Sequence, residues 1–219
     1  MYQLYGFIGS ASLAPRMVLE ELGLPYQFVR LDADKGEHKT DAYLKLNPNA
    51  RVPTLVDGDM VLFESAAICL YLADRHPNSH LVPALTHPAR GQLYKWLMFL
   101  TNSLQPALIA YFYPDRLSTD PAHGPAIKAR AEQNADALYQ QIDKALAEHG
   151  PYLLGSEFSV ADLFLFMLIR WGRWFGQPPV SKYPHLQQLV QFVSERPAVR
   201  KTFELEGIPA PYCLLPAKA

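Results

Sequence analysis

Cysteine is nearly missing from this sequence. Only Cys69 and Cys213 carry a thiol among 219 residues, and they form no Cys-x-x-Cys pair. That argues against a disulfide framework and a thiolate zinc site, so no metal is expected. Long apolar runs are missing too: none approaches the ~20 residues of a membrane-spanning helix. Nor is there an excess of one charge, since 20 Lys and Arg stand against 21 Asp and Glu. Without a concentrated positive field, neither nucleic acid nor an anionic membrane is an expected partner. The opening Met1-Tyr2-Gln3-Leu4-Tyr5-Gly6 shows neither the basic start nor the apolar core of a secretory leader. The cytoplasm is the expected location.

What is present is an ordinary globular composition, 49% apolar and 19% charged, with enough residues for a useful core. Leu4-Tyr5 fits a short buried strand that stops at Gly6. Over residues 12–22, Leu13, Met17, Val18 and Leu22 recur at helical spacing, and Gly23 stops the helix. Residues 26–31 alternate like a strand, and 41–46 read as a short helix ahead of Asn47-Pro48. Residues 52–63 form a hairpin around Asp57-Gly58, and a further helix runs from Glu64 to His76-Pro77. Beyond this point the strands vanish. Helical pattern covers 89–112, 122–149, 159–175 and 184–206, and the Pro-containing stretch 207–219 reads as irregular. The expected organisation is a first domain at 1–76, a linker at 77–88 and a helical domain at 89–219.

The strongest chemical signal is Asn47-Pro48-Asn49-Ala50-Arg51-Val52-Pro53-Thr54-Leu55 followed by Phe63-Glu64-Ser65. A proline opening a strand suits a cis peptide, which turns the preceding backbone outward. Val52 then offers its own N–H and C=O to an extended ligand, as an added strand would use them. Glu64-Ser65 at a helix start supplies a carboxylate for a ligand ammonium, with a hydroxyl and free N–H groups for a ligand carboxylate. Together they describe a site for an α-amino acid end group beside a peptide backbone. Taken singly, the same residues are also a strand start and a helix cap.

In these residues the sequence resembles the cytosolic glutathione S-transferases, along its whole length. The resemblance implies an α/β thioredoxin-like N-terminal domain plus an all-α C-terminal domain, with glutathione as co-substrate and no metal. Glu64-Ser65 resembles the family's γ-glutamyl-binding pair, and Val52-Pro53, with Arg51 before it, the cysteinyl contact. Gly36-Glu37-His38-Lys39 is similar to the plant phi-class stretch whose His-Lys pair holds the glycyl carboxylate, and a cationic pair suits that task. Gly150-Pro151-Tyr152-Leu153-Leu154-Gly155 followed by Phe158-Ser159-Val160-Ala161-Asp162-Leu163 is a second family signature. It is a capping-box variant, a folding motif without catalytic content.

Glutathione transfer needs a thiolate. A free thiol titrates near ~8.5, so lowering it by about two units takes ~2.7 kcal/mol of preferential thiolate stabilisation. The family places a Tyr, Ser or Cys just after the first strand for this purpose. Two registers compete. Leu4-Tyr5-Gly6 aligned with the phi-class opening puts Ser10 on the catalytic serine. Ser12-Leu13-Ala14-Pro15 aligned with the bacterial beta class, which the chain resembles overall, puts Ala11 on that class's cysteine. The beta-class His-Lys pair of the second domain falls on Gln105-Pro106. Ser10 is therefore the first candidate and Ser12 the second, although Ser12 also stands where a helix cap belongs. Tyr5 ranks lower. An apolar acceptor site is expected from Phe7, Tyr111, Tyr113 and Trp174, since aromatic walls suit an apolar electrophile. The expected activity is conjugation of glutathione to small hydrophobic electrophiles, a detoxification reaction carried out by a homodimer. A glutathione-dependent isomerase, dehalogenase or peroxidase, and a non-catalytic binding or regulatory module, are the alternatives.

Overall fold

The computed structural model describes residues 1–215, which divide into two compact units. The first comprises Met1–Val82 and Glu195–Pro209. Strand β1 (Tyr2–Gly6) leads into helix α1 (Leu13–Glu21) and strand β2 (Tyr26–Arg30). A short helix α2 (Asp41–Leu44) precedes strands β3 (Thr54–Asp57) and β4 (Met60–Phe63), and helix α3 (Ser65–Asp74) follows. The sheet order is β2-β1-β3-β4, with β1 parallel to β2 and antiparallel to β3. Parallel pairing of β1 with β2 requires a crossover, which α1 supplies.

Leu4 pairs with Leu55 across β1 and β3, and both are fully buried. Leu13, Met17 and Val18 of α1 and Ile68, Cys69 and Leu72 of α3 are buried as well, as their helical spacing requires. Burial pushes the Cys69 thiol far above its usual range, which makes it an inert core residue. The Asp57-Gly58 turn links β3 to β4 as expected, with Gly58 at φ +62°.

The second unit holds Pro83–Ser194 and the described residues from Ala210. Its helices are α4 (Ala89–Phe99), α5 (Gln105–Phe112), α6 (Gly124–His149), α7 (Val160–Trp171), α8 (Pro179–Lys182) and α9 (Pro184–Glu195). Every residue of α7 is buried, so this helix is the axis of the unit. Its start is a complete capping box: the Ser159 hydroxyl accepts from the Ala161 N–H, and Asp162 accepts from the Ser159 N–H at 2.8 Å. Asp162 also accepts from the Ser159 hydroxyl at 3.0 Å and from the Leu153 N–H at 2.8 Å. The cap thereby pins the preceding loop to the helix.

Three departures from the sequence reading have local causes. The helical run 89–112 is interrupted by a π-helical turn at Leu100–Leu104. Pro106 has no N–H and its ring crowds the preceding turn, and widening that turn relieves the crowding. The run 184–206 is two helices, α9 and α10 (Pro197–Leu205). Pro197 drives Arg196 out of helical geometry, to ψ 130°. Finally, α10 packs on α1 within the first unit, whereas the sequence reading placed all of 89–219 in the second domain. Residues 206–215 are non-helical, in keeping with the irregular tail; the rest of that stretch, 216–219, lies outside the described residues.

Two outcomes are expected from this capping arrangement. Ser159→Ala should cost about 1 kcal/mol in chemical denaturation. Asp162→Ala should cost more than about 2 kcal/mol, because it strands two buried backbone donors. Burial raises the Asp162 carboxyl to about 6, against the pull of its donors. A raised folded-state value favours the fold at low pH. This increment is fully present below the ordinary carboxylate range and lost as pH rises through about 6. Denaturation midpoints of wild type and Asp162→Asn across that range should show the trend in the former and its loss in the latter.

Candidate functional site

The loop after β1 is a tight set of turns built on one carbonyl. The Ser10 N–H donates to the Phe7 C=O at 3.3 Å, and the Ser10 hydroxyl donates to the same oxygen at 2.9 Å. The Ser12 hydroxyl donates to it at 3.1 Å and lies 3.0 Å from the Ser10 hydroxyl. Gly9, at φ +67°, supplies the left-handed residue that lets the chain turn. The two serines differ in access. Ser10 is half-buried, whereas Ser12 is wholly buried. Gly6 explains why: a Cβ there would stand 2.2 Å from the Ser12 oxygen, so only glycine lets Ser12 pack down onto the strand end. Ser12 occupies the cap position of α1, but its side chain makes no capping bond. Tyr5 stays in β1, half-buried, its ring centroid 5.8 Å from that of Tyr43.

The register of β1 against β3 pairs Tyr5 with Thr54. Val52 lies two residues before that pair, outside the ladder that begins at Thr54 at the same end of the sheet as the serine loop. The Val52–Pro53 bond is cis. What fixes this segment is a buried hub that the sequence reading missed. The Arg51 carbonyl accepts from the Tyr43 hydroxyl at 2.6 Å and from the Asn47 amide at 2.9 Å. Asn47 also donates to the Thr54 hydroxyl at 3.3 Å, and its own oxygen takes the Asn49 N–H at 3.1 Å. An asparagine that bonds the backbone two residues on is a usual way for a turn to be held.

Glu64 and Ser65 close the other side. Glu64 is exposed and sits at φ +73°, ψ 108°, a conformation rare for a residue with a side chain. Ser65 is buried, and its hydroxyl donates to the Ala11 carbonyl at 2.7 Å, tying the start of α3 to the serine loop. The N–H groups of the first turn of α3 have no carbonyl within the helix to pair with. His38 joins the same end of the sheet through Phe7, their rings edge to face with centroids 5.2 Å apart. Burial, and then the Lys39 charge, holds the His38 imidazole below its usual value, and its Nδ1 is buried without a hydrogen-bond partner. The expected cationic pair is therefore carried by exposed Lys39, with His38 favouring its neutral form; Arg51 adds a second exposed cation.

The expected acceptor residues separate. Phe7 stands half-buried in the serine loop. In the second unit, Tyr111 is packed inside. Its hydroxyl donates to the Trp174 carbonyl at 2.7 Å, and its ring meets Phe112 and Phe175. It is a core residue there, because both its ring and its hydroxyl are used internally. Tyr113 and Trp174 remain exposed, each with an arginine over its ring. Cys213 is buried, its thiol pushed up to about 12 by burial. Among the described residues, no group of three His, Cys, Asp or Glu side chains is placed to hold a metal ion.

Glu64-Ser65, Val52-Pro53, Ser10 and the His38 loop thus meet at one end of one sheet. Comparison with known proteins identifies the family. The glutathione S-transferase N-terminal domain matches residues 1–74, and the glutathione S-transferase C-terminal domain matches residues 103–204. Glutathione S-transferase 3 of Zea mays is 33% identical over 203 residues, covering 89% of each chain. Glutathione S-transferase GstA of Escherichia coli O157:H7 is 29% identical over 202 residues, 91% of this chain and 96% of that one. A glutathione transferase homologue from Sulfitobacter, solved with bound glutathione, superposes with a TM-score of 0.85 at 29% identity, covering 95% of this chain and 99% of that one. By sequence and by fold, the chain belongs to the glutathione S-transferase family.

Proposed function

We propose that the protein conjugates glutathione, as its thiolate, to small apolar electrophiles. The observation that carries this reading is the convergence of Ser10, Val52-Pro53 and Glu64-Ser65 on one sheet end. The bound glutathione of the Sulfitobacter homologue supports it. In this reading the Glu64 carboxylate takes the γ-glutamyl ammonium, and the first N–H groups of α3 take the neighbouring carboxylate. Val52, lying outside the ladder, exchanges backbone hydrogen bonds with the cysteinyl residue. Lys39 and Arg51, with His38 as a neutral donor, hold the glycyl carboxylate.

Ser10 is the hydroxyl assigned to the sulfur, and Ser12 its support. When Ser10 turns its proton toward the thiolate, the Ser12 hydroxyl continues to satisfy the Phe7 carbonyl at 3.1 Å. The Ser10 oxygen still accepts from the Ser12 N–H at 3.3 Å. The rotation therefore leaves the Phe7 carbonyl paired. A hydrogen bond to the charged form lowers the thiol's pKa, and holding the electrophile against the sulfur supplies much of the remaining rate. Phe7, Tyr113 and Trp174 are the aromatic residues proposed to meet the electrophile, with a detoxifying role, a cytoplasmic location and a homodimeric state as parts of the same proposal.

Calorimetry with millimolar glutathione should register binding heat; its absence would overturn the transferase reading and leave a non-catalytic module. A panel of conjugation, isomerisation, dehalogenation and peroxide substrates should give its largest rates for conjugation. Titration of the ultraviolet thiolate band of bound glutathione should give a midpoint about two units higher in Ser10→Ala than in wild type. Ser12→Ala should shift it less, and a larger shift from Ser12→Ala would transfer the assignment to Ser12.

A further inference from the structure

The serine loop is tied to a part of the chain nearly two hundred residues away. The Gly9 N–H donates to the Glu206 carboxylate at 2.7 Å. Glu206 lies just beyond α10, and its side chain is fully enclosed. Its other oxygen faces the Arg16 guanidinium of α1 at 3.4 Å, whose side chain is 6% exposed. Arg16 in turn lies 4.1 Å over the Phe28 ring and donates to the Tyr26 hydroxyl at 3.1 Å. Tyr26 donates to Glu20 at 2.7 Å, and Lys201 of α10 pairs with Glu20 at 2.7 Å. Burial and the Glu20 carboxylate raise the Tyr26 phenol to about 12, so it keeps its proton and remains a donor. Glu206 thus belongs to a chain of polar and charged contacts, enclosed at Arg16 and Glu206 and open to solvent at Lys201, that joins the loop, α1, β2 and α10.

A carboxylate removed from water is costly unless it is paired and hydrogen-bonded. Here one oxygen is matched by Arg16 and the other by a backbone N–H in the residue before Ser10. That N–H belongs to the left-handed Gly9, the residue with the widest choice of conformations in the loop. Fixing this peptide fixes the direction from which Ser10 enters the site. The bond to Gly9 is charge-assisted and short, which makes it one of the stronger single restraints on the loop.

We propose that Glu206 is a positioning residue for Ser10, holding the Gly9 peptide so that the serine hydroxyl meets the glutathione sulfur, with Arg16 balancing its charge. The inference rests on the transferase reading, and the experiment separates the two. Wild type, Glu206→Ala and Glu206→Gln are compared by titration of the bound-glutathione thiolate band, by glutathione affinity, and by hydrogen exchange at the Gly9 amide. Glu206→Ala should raise the thiolate midpoint by about one unit, roughly tenfold less thiolate near neutrality. Glutathione affinity should stay within about twofold, since Val52, Glu64 and Ser65 are untouched by the change. Gly9 exchange should accelerate at least about tenfold.

Glu206→Gln keeps an acceptor for Gly9 but leaves the Arg16 charge unbalanced. Its thiolate midpoint should therefore sit at or below that of wild type, while its melting temperature falls. A Glu206→Ala midpoint equal to wild type would overturn the proposal. So would a Glu206→Gln midpoint raised as far as that of Glu206→Ala, because an acceptor for the Gly9 N–H at 206 would then make no difference to the thiolate. Should Glu206→Ala fail to fold, Glu206→Asp, shorter by one methylene, takes its place with the same expected direction. If wild type shows no bound thiolate, the transferase reading fails. Gly9 exchange still tests the tether, and unchanged exchange in the variants overturns it.

Discussion

Around the end of β1, backbone carbonyls lie part-buried outside the strand and helix ladders, and side chains supply most of their donors. The Phe7 carbonyl is met by two serine hydroxyls, the Ala11 carbonyl by Ser65, and the Arg51 carbonyl by Tyr43 and Asn47. A buried unpaired carbonyl costs more than a made bond contributes, about 1–3 kcal/mol against about 1. The loops are therefore held less by what each bond adds than by what its loss would expose. This requirement places the three segments proposed to meet glutathione: the Ala11 bond ties α3 to the serine loop, and the Arg51 bonds hold the segment before Val52-Pro53.

The same constraint sorts the hydroxyls by role. Ser65 and Ser12 are both buried, and their protons are directed at neighbouring oxygen atoms. Ser10 is the one of the three with partial access to solvent, and its present acceptor is shared with Ser12. A donor can be redirected to a ligand without penalty only where its former partner keeps another donor. Ser10 meets that condition at Phe7. Sequence alignment could not separate Ser10 from Ser12, because the difference lies in a close approach between Gly6 and Ser12 that no local pattern announces.

What the sequence made legible followed from short-range physics. The Asp57-Gly58 turn, the Ser159/Asp162 cap and the helical spacing of Leu13, Met17 and Val18 each depend on neighbours within a few residues, and each appears as expected. Proline effects were only partly read. Pro53 opens β3 as expected, but the stops imposed by Pro106 and Pro197 were absorbed into longer helical runs because their flanking apolar spacing continues. Tyr111 illustrates the limit for side chains: an aromatic looks the same in sequence whether it lines a cleft or fills a core, and here its hydroxyl bond to Trp174 belongs to packing. Asn47 and Glu206 lay beyond reach for different reasons. Asn47 reads as an ordinary turn residue until its partners are known, and Glu206 acts across 197 positions.

The Arg16–Glu206 pair raises the question of why a buried charge pair persists in a unit whose core is mainly apolar. Buried ion pairs are poor stabilisers, since desolvation consumes most of their attraction, and apolar replacements of similar volume often do as well. Stability alone therefore gives little reason to keep it. Geometry gives a better one. An apolar residue at 206 could fill the space under the loop, but it could not accept the Gly9 N–H, and that restraint on the peptide before the proposed thiol-facing serine would be lost. Once a carboxylate is used for the purpose, Arg16 must accompany it, and the Phe28 face and the Tyr26 hydroxyl then follow as the surroundings an enclosed guanidinium needs. The Arg16–Glu206 pair is thus better understood as the support of one backbone hydrogen bond than as a contribution to folding energy, and through it the end of α10 is tied to α1 and to the loop after β1.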